Sequence, residues 1–415
     1  MPSLRSFSTR VVLLMPYFSC IKYRPSDGGW QMLLLIAYIG FVSLGLPDTL
    51  IGVAWPAVRQ EFHLHQDAVA LVFFGSGCSY FLSSFFTGRL LRMAGIGTLL
   101  SVSTAMVALS GFGFGMAEAW QLFGACSVLH GLGSGAIDAG LNHYAAHHLS
   151  PRHMNWLHAS YSLGATMGPL VMTAAMSPGS WRCGYFTVAT ILVLLAIVFA
   201  VTGSKWNRAS SIEGEGGGSK GAGMGEALRQ TAVWLQVGIF FVYTGLEVTV
   251  GQWSFSVLTG SRGVSSETAA FLVAGYWGSI GVGRVLFGFI VERTGMDRMI
   301  RWSLRTAFAG TALFALDVSG GITAFSLVFA GAGLAAIYPC LMSRTPRRLG
   351  TSLAAHAIGL QVSAATLGAA ALPSLSGFLA QSGGLESIPA AAVVMALCAL
   401  LLHEALLLED AAGRR

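Results

Sequence analysis

Charged residues are scarce in this chain. Asp, Glu, Lys and Arg make up 10% of its 415 residues, whereas hydrophobic residues make up 54%. A soluble globular protein carries about 25% charged residues, because polar groups must cover a surface that faces water. The mean hydropathy is +0.66, and the apolar residues come in stretches of about 20, the length that crosses a bilayer core of roughly 30 Å. This composition excludes soluble, disordered and fibrous proteins and predicts an all-α polytopic membrane protein.

The sequence also lacks the patterns that bind metals, disulfide partners or nucleotides. Its six cysteines are scattered, with no CxxC spacing, and the adjacent His147 and His148 give no defined ligand geometry. The GxxxxGK[ST] motif of ATP-binding loops is absent, so the chain cannot use ATP by itself. We therefore expect no cofactor and no metal site. The net charge of +6 does not require nucleic acid, because basic cytoplasmic loops of membrane proteins produce the same excess.

Hydropathy predicts twelve spans in two groups of six. The linker between the groups, 204–228, is rich in glycine and serine and should be flexible and solvated. The first six-helix bundle then covers 30–203 and the second 229–408, with a basic tail at 1–29 and a short tail at 409–415. The approximate spans are 30–54, 67–90, 97–117, 120–146, 154–176, 181–203, 229–255, 267–291, 300–318, 321–343, 354–380 and 386–408.

The basic residues predict the orientation of these spans. With both termini cytoplasmic, 20 of the 24 Lys and Arg residues fall inside, three fall outside and one, Arg284, lies within a span. Such a bias follows the positive-inside rule. Residues 1–29 lack a small-residue cleavage pattern, so we interpret them as a tail rather than a signal peptide. We expect a monomer in the plasma membrane, specifically a bacterial inner membrane, in contact with lipid.

The two predicted bundles repeat each other at an offset of 200 residues. Glycine is abundant, with 53 residues, so a single match means little, but one offset holds across four pairs of spans. Two related six-helix halves joined by a linker are typical of transporters that rock about a central site. The matching pairs are Gly45-Leu46 with Gly245-Leu246, Gly88 with Gly288, Gly95 with Gly295, Gly131, Gly133, Ile137 and Leu141 with Gly331, Gly333, Ile337 and Leu341, and Ala165-Thr166-x-Gly168 with Ala365-Thr366-x-Gly368.

Several motifs resemble the major facilitator superfamily, and within it the fucose permease-like branch of proton-coupled sugar transporters. The resemblance covers nearly the whole chain after residue 29, and Gly88 to Gly95 and Gly288 to Gly295 look like degenerate copies of the superfamily's loop motif. The first copy lacks the usual acidic residue. The more specific segments are Pro47-Asp48-Thr49-Leu50 with Trp55-Pro56, Gly135-Ala136-Ile137-Asp138-Ala139-Gly140-Leu141-Asn142, and Leu163-Gly164-Ala165-Thr166-Met167-Gly168-Pro169-Leu170.

Two carboxylates lie within spans of the first bundle, where an acidic group is costly and usually marks an ion or substrate pathway. Asp48 follows Pro47, which removes a backbone donor and loosens the helix, so nearby carbonyls can face a cavity. Asp138 belongs to a stripe with His130, Ser134 and Asn142 at four-residue spacing, which must face the bundle interior. The resemblance implies that both aspartates bind substrate or couple protons, although the branch has a glutamate at the second position. For Asp138, a relay through His130 and a charge pair with Arg284 are both open.

Glu247 is the third such carboxylate, close to the repeat counterpart of Asp48. Gln252 and Trp253 follow it within two turns, which suggests a carboxylate, an amide and an aromatic plane for a sugar. Carboxylate and aromatic groups also bind organic cations, so this set of residues does not identify the ligand. Tyr161 and Gln361 are further candidates to line the same cavity.

Three functional hypotheses remain open from the sequence. The favoured one is a secondary active transporter that works by alternating access and carries a small polar metabolite, such as a sugar, together with protons. The alternative is a proton-driven efflux antiporter of amphipathic organic compounds. A membrane-embedded enzyme is the third, and the internal repeat argues against it, so we expect no enzymatic activity.

Overall fold

The computed structural model describes residues 28–149, 151–177, 179–210, 224–318 and 320–412. These residues form α-helices and one short 3₁₀ helix, Gln66–Val69, with no strand among them, which confirms the all-α prediction. The helices are α1 Gly28–Asp48, α2 Leu50–Glu61, α3 Ala70–Met116, α4 Trp120–His148, α5 Pro151–Met176, α6 Trp181–Ser210, α7 Met224–Ala227, α8 Thr231–Gly260, α9 Ser266–Thr294, α10 Met296–Ala315, α11 Gly320–Leu334, α12 Ile337–Leu349, α13 Thr351–Gly383 and α14 Ser387–Ala412.

Within the described ranges, eight helical stretches are long and apolar enough to cross a membrane. The stretch at Gln66–Met116 contains 51 residues and bends sharply at Gly95, which has φ 73°. The number of twelve spans and the sides of the termini stay predictions. The eight stretches are Gln31–Glu61, Gln66–Met116, Trp181–Trp206, Thr231–Gly260, Ser266–Phe287, Gly321–Leu349, His356–Gly383 and Ser387–Ala412.

The helices pack in two groups along the chain. Helix α3 packs on α4 and α6, and α1 packs on α5, whereas α8 packs on α13 and α14, and α10 packs on α11. The two groups meet where α5 contacts α9, α3 contacts α13 and α2 contacts α8. Residues 1–27 and 211–223 lie outside the described residues, and α6 continues to Ser210, so the boundaries of the predicted tails and linker stay predictions.

Some equivalent glycines make equivalent contacts in the two halves, which agrees with the predicted repeat at an offset of 200. A Cβ atom added at Gly131 would lie 2.1 Å from the Ser79 Oγ, and one added at Gly331 would lie 2.2 Å from the Ser279 Oγ. Both glycines therefore let two helices cross with their backbones in close contact. Gly95 and Gly295 also match, since their φ angles are 73° and 79°. Only glycine adopts this conformation without a steric cost.

The crossing at Gly131 predicts a measurable loss of stability. In Gly131→Ala the new methyl group would lie 2.0 Å from the carbonyl oxygen of Ser76, so we expect overpacking to cost about 1–3 kcal/mol. Gly278→Ala is the matched control, because its Cβ would lie 3.5 Å from the nearest atom, the Thr166 Oγ1. Thermal unfolding in detergent should show a lower midpoint for Gly131→Ala alone. Equal midpoints for the two variants would contradict the close crossing.

Candidate substrate and proton site

A cavity of about 1430 Å³ lies between the two groups of helices. Its wall is built from both halves of the chain, with α1, α3, α4 and α5 facing α8, α9, α12 and α13. All three intramembrane carboxylates predicted from the sequence, Asp48, Asp138 and Glu247, line it. A single cavity therefore collects acidic groups that lie almost 200 residues apart in the chain.

One end of the cavity is closed by contacts between the halves. The backbone N–H of Gln66 donates to the Gln381 Oε1 at 2.8 Å, and the Gln252 Nε2 donates to the carbonyl oxygen of Asp48 at 2.8 Å. A Cβ atom added at Gly77 would lie 2.6 Å from the Cβ of Ala370. We call the contact between the 3₁₀ helix at Gln66–Val69 and the end of α13 near Gln381 the outer seam.

The cavity extends away from the outer seam to the opposite ends of the same helices. Phe85 on α3 and Gly359 on α13 both line it and both are exposed. Each lies roughly 20 residues from the outer seam along its helix, which corresponds to about 30 Å at 1.5 Å per residue. The two halves thus contact each other at the seam, and the cavity reaches exposed residues toward the other end.

Asp48 lies where the first long helix breaks. Helix α1 ends at Asp48, directly after Pro47, and α2 begins at Leu50, as the loosened turn at a proline requires. The His130 Nε2 lies 3.0 Å from the Asp48 Oδ1, and the Tyr161 hydroxyl donates to the Oδ2 at 3.0 Å. The imidazole can neutralise this carboxylate by carrying a proton itself.

Asp138 has only neutral partners. The Tyr80 hydroxyl donates to the Asp138 Oδ2 at 2.6 Å, and the Asn142 Nδ2 donates to the Oδ1 at 2.9 Å. No ion pair involving Asp138 occurs among the described residues. Its charge is therefore balanced by hydrogen bonds alone, and a bound proton would remove the remaining cost of burial.

Glu247 forms the third centre, with the cation that the sequence places within a span. The Arg284 guanidinium donates to the Glu247 Oε1 at 3.2 Å, and the Tyr243 hydroxyl donates to the Oε2. The side chains of Arg284 and Glu247 are 11% and 9% exposed, so solvent screens this pair weakly. Arg284 also donates to the carbonyl oxygen of His158 at 3.2 Å and to the Ser162 Oγ at 3.1 Å.

Two pairings suggested for Asp138 are corrected by this geometry. His130 contacts Asp48, and Arg284 contacts Glu247. His130 and Asp138 share a face of α4, but eight residues of helix separate them by about 12 Å along the axis. A shared stripe therefore places both groups in the cavity without bringing them into contact.

Two predicted ligands lie away from the cavity wall. The Trp253 indole donates to the carbonyl oxygen of Pro373 at 2.9 Å and packs beside Gly377. Gln361 is fully buried, and its amide bonds with Gln236 and Thr345. Each polar group is satisfied inside the second half of the chain, so we withdraw both residues as candidate ligands. Gln252 does line the cavity, as does Tyr161.

Sequence reasoning missed several polar groups that complete the site. Tyr80 supplies a hydroxyl to the Asp138 centre, and Tyr243 and Ser162 supply hydroxyls to the centre of Glu247 and Arg284, but tyrosine and serine are common in spans and none stands out by type. Tyr338 also lines the cavity, and the repeat offered a signal, because it is the counterpart of Asp138 at the offset of 200. Within the described ranges, no group of three His, Cys, Asp or Glu residues could hold a metal ion.

Comparisons with known proteins agree with this architecture. The chain is 25% identical over 401 residues to the bypass of stop codon protein 6 of Saccharomyces cerevisiae, covering 86% of this chain and 79% of that one. It is 22% identical over 320 residues to the glucose/mannose transporter GlcP of Bacillus subtilis, covering 74% and 78%. A solved bacterial homologue of the human lysosomal transporter Spinster superposes with a TM-score of 0.75 at 15% identity, covering 93% of this chain and 98% of that one.

The family model for the Major Facilitator Superfamily matches residues 37–368 and, in a second match, residues 237–415. Together these matches reach from the first long helix to the end of the chain. The chain therefore belongs to the Major Facilitator Superfamily, and it is a multi-pass membrane transporter rather than an enzyme.

Proposed function

We propose that the protein is a secondary active transporter that imports a small polar metabolite, such as a sugar, together with protons by alternating access. The observation that carries the proposal is the convergence of Asp48, Asp138 and Glu247 on one cavity between the two halves. Carboxylate, amide and hydroxyl groups around one space can bind substrate hydroxyls, and buried carboxylates can take up protons. The name of the Bacillus subtilis relative, a glucose/mannose transporter, supports a sugar.

The predicted orientation assigns this conformation to one state of the transport cycle. If both termini are cytoplasmic, the outer seam faces outside and the cavity opens inward. The solved Spinster homologue is described as inward-facing and unoccupied, which supports this assignment. We also propose that the protein acts as a monomer in a plasma membrane, such as the inner membrane of a bacterium.

One observation favours proton-driven efflux of amphipathic compounds as the second candidate. Six phenylalanines line the cavity, among them Phe41, Phe73, Phe81 and Phe85. The volume of about 1430 Å³ also exceeds the range of about 300–1,000 Å³ typical of drug-sized pockets. An open cytoplasmic end contributes to both features, so we rank this function below sugar import.

Accumulation in proteoliposomes distinguishes the two functions. With the outside more acidic than the lumen, we expect a labelled monosaccharide to accumulate inside, because protons entering down their gradient carry the sugar with them. A protonophore should abolish the accumulation, and protein-free liposomes are the control. Proton-driven extrusion of a cationic dye, with no sugar accumulation from a panel of monosaccharides, would favour the efflux antiporter and contradict sugar symport.

A further inference from the structure

Arg284 is a buried cation whose partner can lose its charge. A guanidinium stays protonated at every physiological pH, whereas a glutamate becomes neutral when it takes up a proton. Arg284 and Glu247 both line the cavity, and the guanidinium nitrogen of Arg284 lies 3.2 Å from the Glu247 Oε1. Protonation of Glu247 would therefore leave Arg284 as a buried positive charge without a counter-charge. Such a charge is strongly unfavourable unless another anion compensates it.

From this pair we propose that Arg284 is a carboxylate receptor that Glu247 covers, so that the protein prefers hydroxylated carboxylates among the small polar metabolites that it transports. This inference deepens the proposed function and rests on it. A proton binds the Glu247 carboxylate, and the substrate carboxylate then takes its place against the guanidinium. Guanidinium groups bind carboxylates through two parallel hydrogen bonds. Proton and monoanion together carry no net charge into the cavity.

Arg284 contacts both halves of the protein, which suits a residue that binds the substrate between them. Its side chain extends from α9 and donates to the carbonyl oxygen of His158 and to the Ser162 Oγ, both on α5. Helices α5 and α9 belong to different halves and pack against each other. A carboxylate bound to Arg284 therefore lies at the boundary across which the halves must move.

The surrounding charges select a monoanion over a phosphate ester. Asp48 and Asp138 line the same cavity, and a dianion would face their repulsion with a single arginine to offset it. Among the described residues, Glu247 in the ion pair and His158 beside it are the only ones there of a type that titrates between about pH 4 and 8. The other titratable neighbours are Tyr243 on α8, Tyr276 on α9, Tyr161 on α5 and Tyr338 on α12.

Calorimetric binding of gluconate and sorbitol to the detergent-solubilised full chain tests the receptor. The two polyols differ in one terminal group, a carboxylate against a hydroxymethyl. At pH 5.5 we expect gluconate to bind on the order of tenfold or more tightly, the scale of a charge-assisted hydrogen bond. Its affinity should fall as the pH rises, because ionised Glu247 then competes for Arg284. In Glu247→Gln the affinity should stay high at pH 7.5, and in His158→Gln the pH dependence should persist.

The double variant Glu247→Gln/Arg284→Gln removes the receptor without leaving an unpaired buried charge. It should bind gluconate and sorbitol equally, whereas the control Arg301→Gln/Glu404→Gln, which removes an ion pair outside the cavity wall, should keep the preference. Equal affinities in the wild type, or no gluconate binding by folded Glu247→Gln, would overturn the inference. Failure of proton-driven transport would instead count against the proposed function, because this binding assay requires no transport.

Discussion

Asp138→Asn should remove the contribution of one proton to substrate accumulation while leaving exchange across the membrane intact. Asp138 is bonded to Tyr80 and Asn142 but to no cation, so its negative charge must be neutralised by a proton before the cavity reorients. Asparagine has the same shape, accepts the same hydrogen bond from Tyr80 and is always neutral. The variant can therefore reorient without a proton at this position, and substrate movement is no longer tied to that proton.

The size of this effect follows from the gradient applied. A pH difference of one unit supplies about 1.4 kcal/mol per proton, which supports roughly tenfold accumulation with one proton per substrate. We expect the accumulation ratio of Asp138→Asn to lie roughly tenfold below that of the wild type, the contribution of one proton, while counterflow of labelled substrate remains close to the wild-type rate.

Glu404→Gln is the matched control for this experiment. Glu404 is a carboxylate of the second half that pairs with Arg301 and does not line the cavity. The Glu404→Gln variant should accumulate substrate to the same ratio as the wild type. Accumulation by Asp138→Asn at the wild-type level would remove Asp138 from the coupling mechanism and move the proton to Asp48 or Glu247.

The fold was largely predictable from the sequence because its determinants are local or repeat along the chain. Scarce charge and long apolar stretches indicate helices in a membrane, and Pro47 indicates the break that the structure shows before Leu50. Gly131 and Gly331 were identified as a repeat, and both make close helix crossings. Glycine at such a position indicates a close contact between helix backbones, so its place in the sequence carries structural information.

The sequence predicts which carboxylates line the cavity but not which groups contact each of them. The cost of a carboxylate in a span identified Asp48, Asp138 and Glu247, and all three line the cavity. The contacts between these side chains depend on the rotation and axial position of helices from distant parts of the chain. Arg284 illustrates the limit, since its contact with Glu247 joins α9 to α8 and its bond to the carbonyl oxygen of His158 joins it to α5.

Alternating access requires the outer seam to open, and a cross-link across it should stop transport. In Gln66→Cys/Gln381→Cys the two cysteines would lie on opposite sides of the seam, where the backbone N–H of Gln66 lies 2.8 Å from the Gln381 Oε1. Neither side chain belongs to the three carboxylate centres. Each single variant treated with the same reagent controls for the native cysteines, which include Cys340 on the cavity wall.

Uptake before and after cross-linking with a short bis-methanethiosulfonate tests the account most directly. We expect the cross-linked double variant to take up substrate no faster than protein-free liposomes, the single variants to remain active, and dithiothreitol to restore the double variant. Uptake at the wild-type rate by fully cross-linked protein would mean that the halves need not part at this seam. The proposal that the carboxylate cavity opens alternately to the two sides of the membrane would then be contradicted.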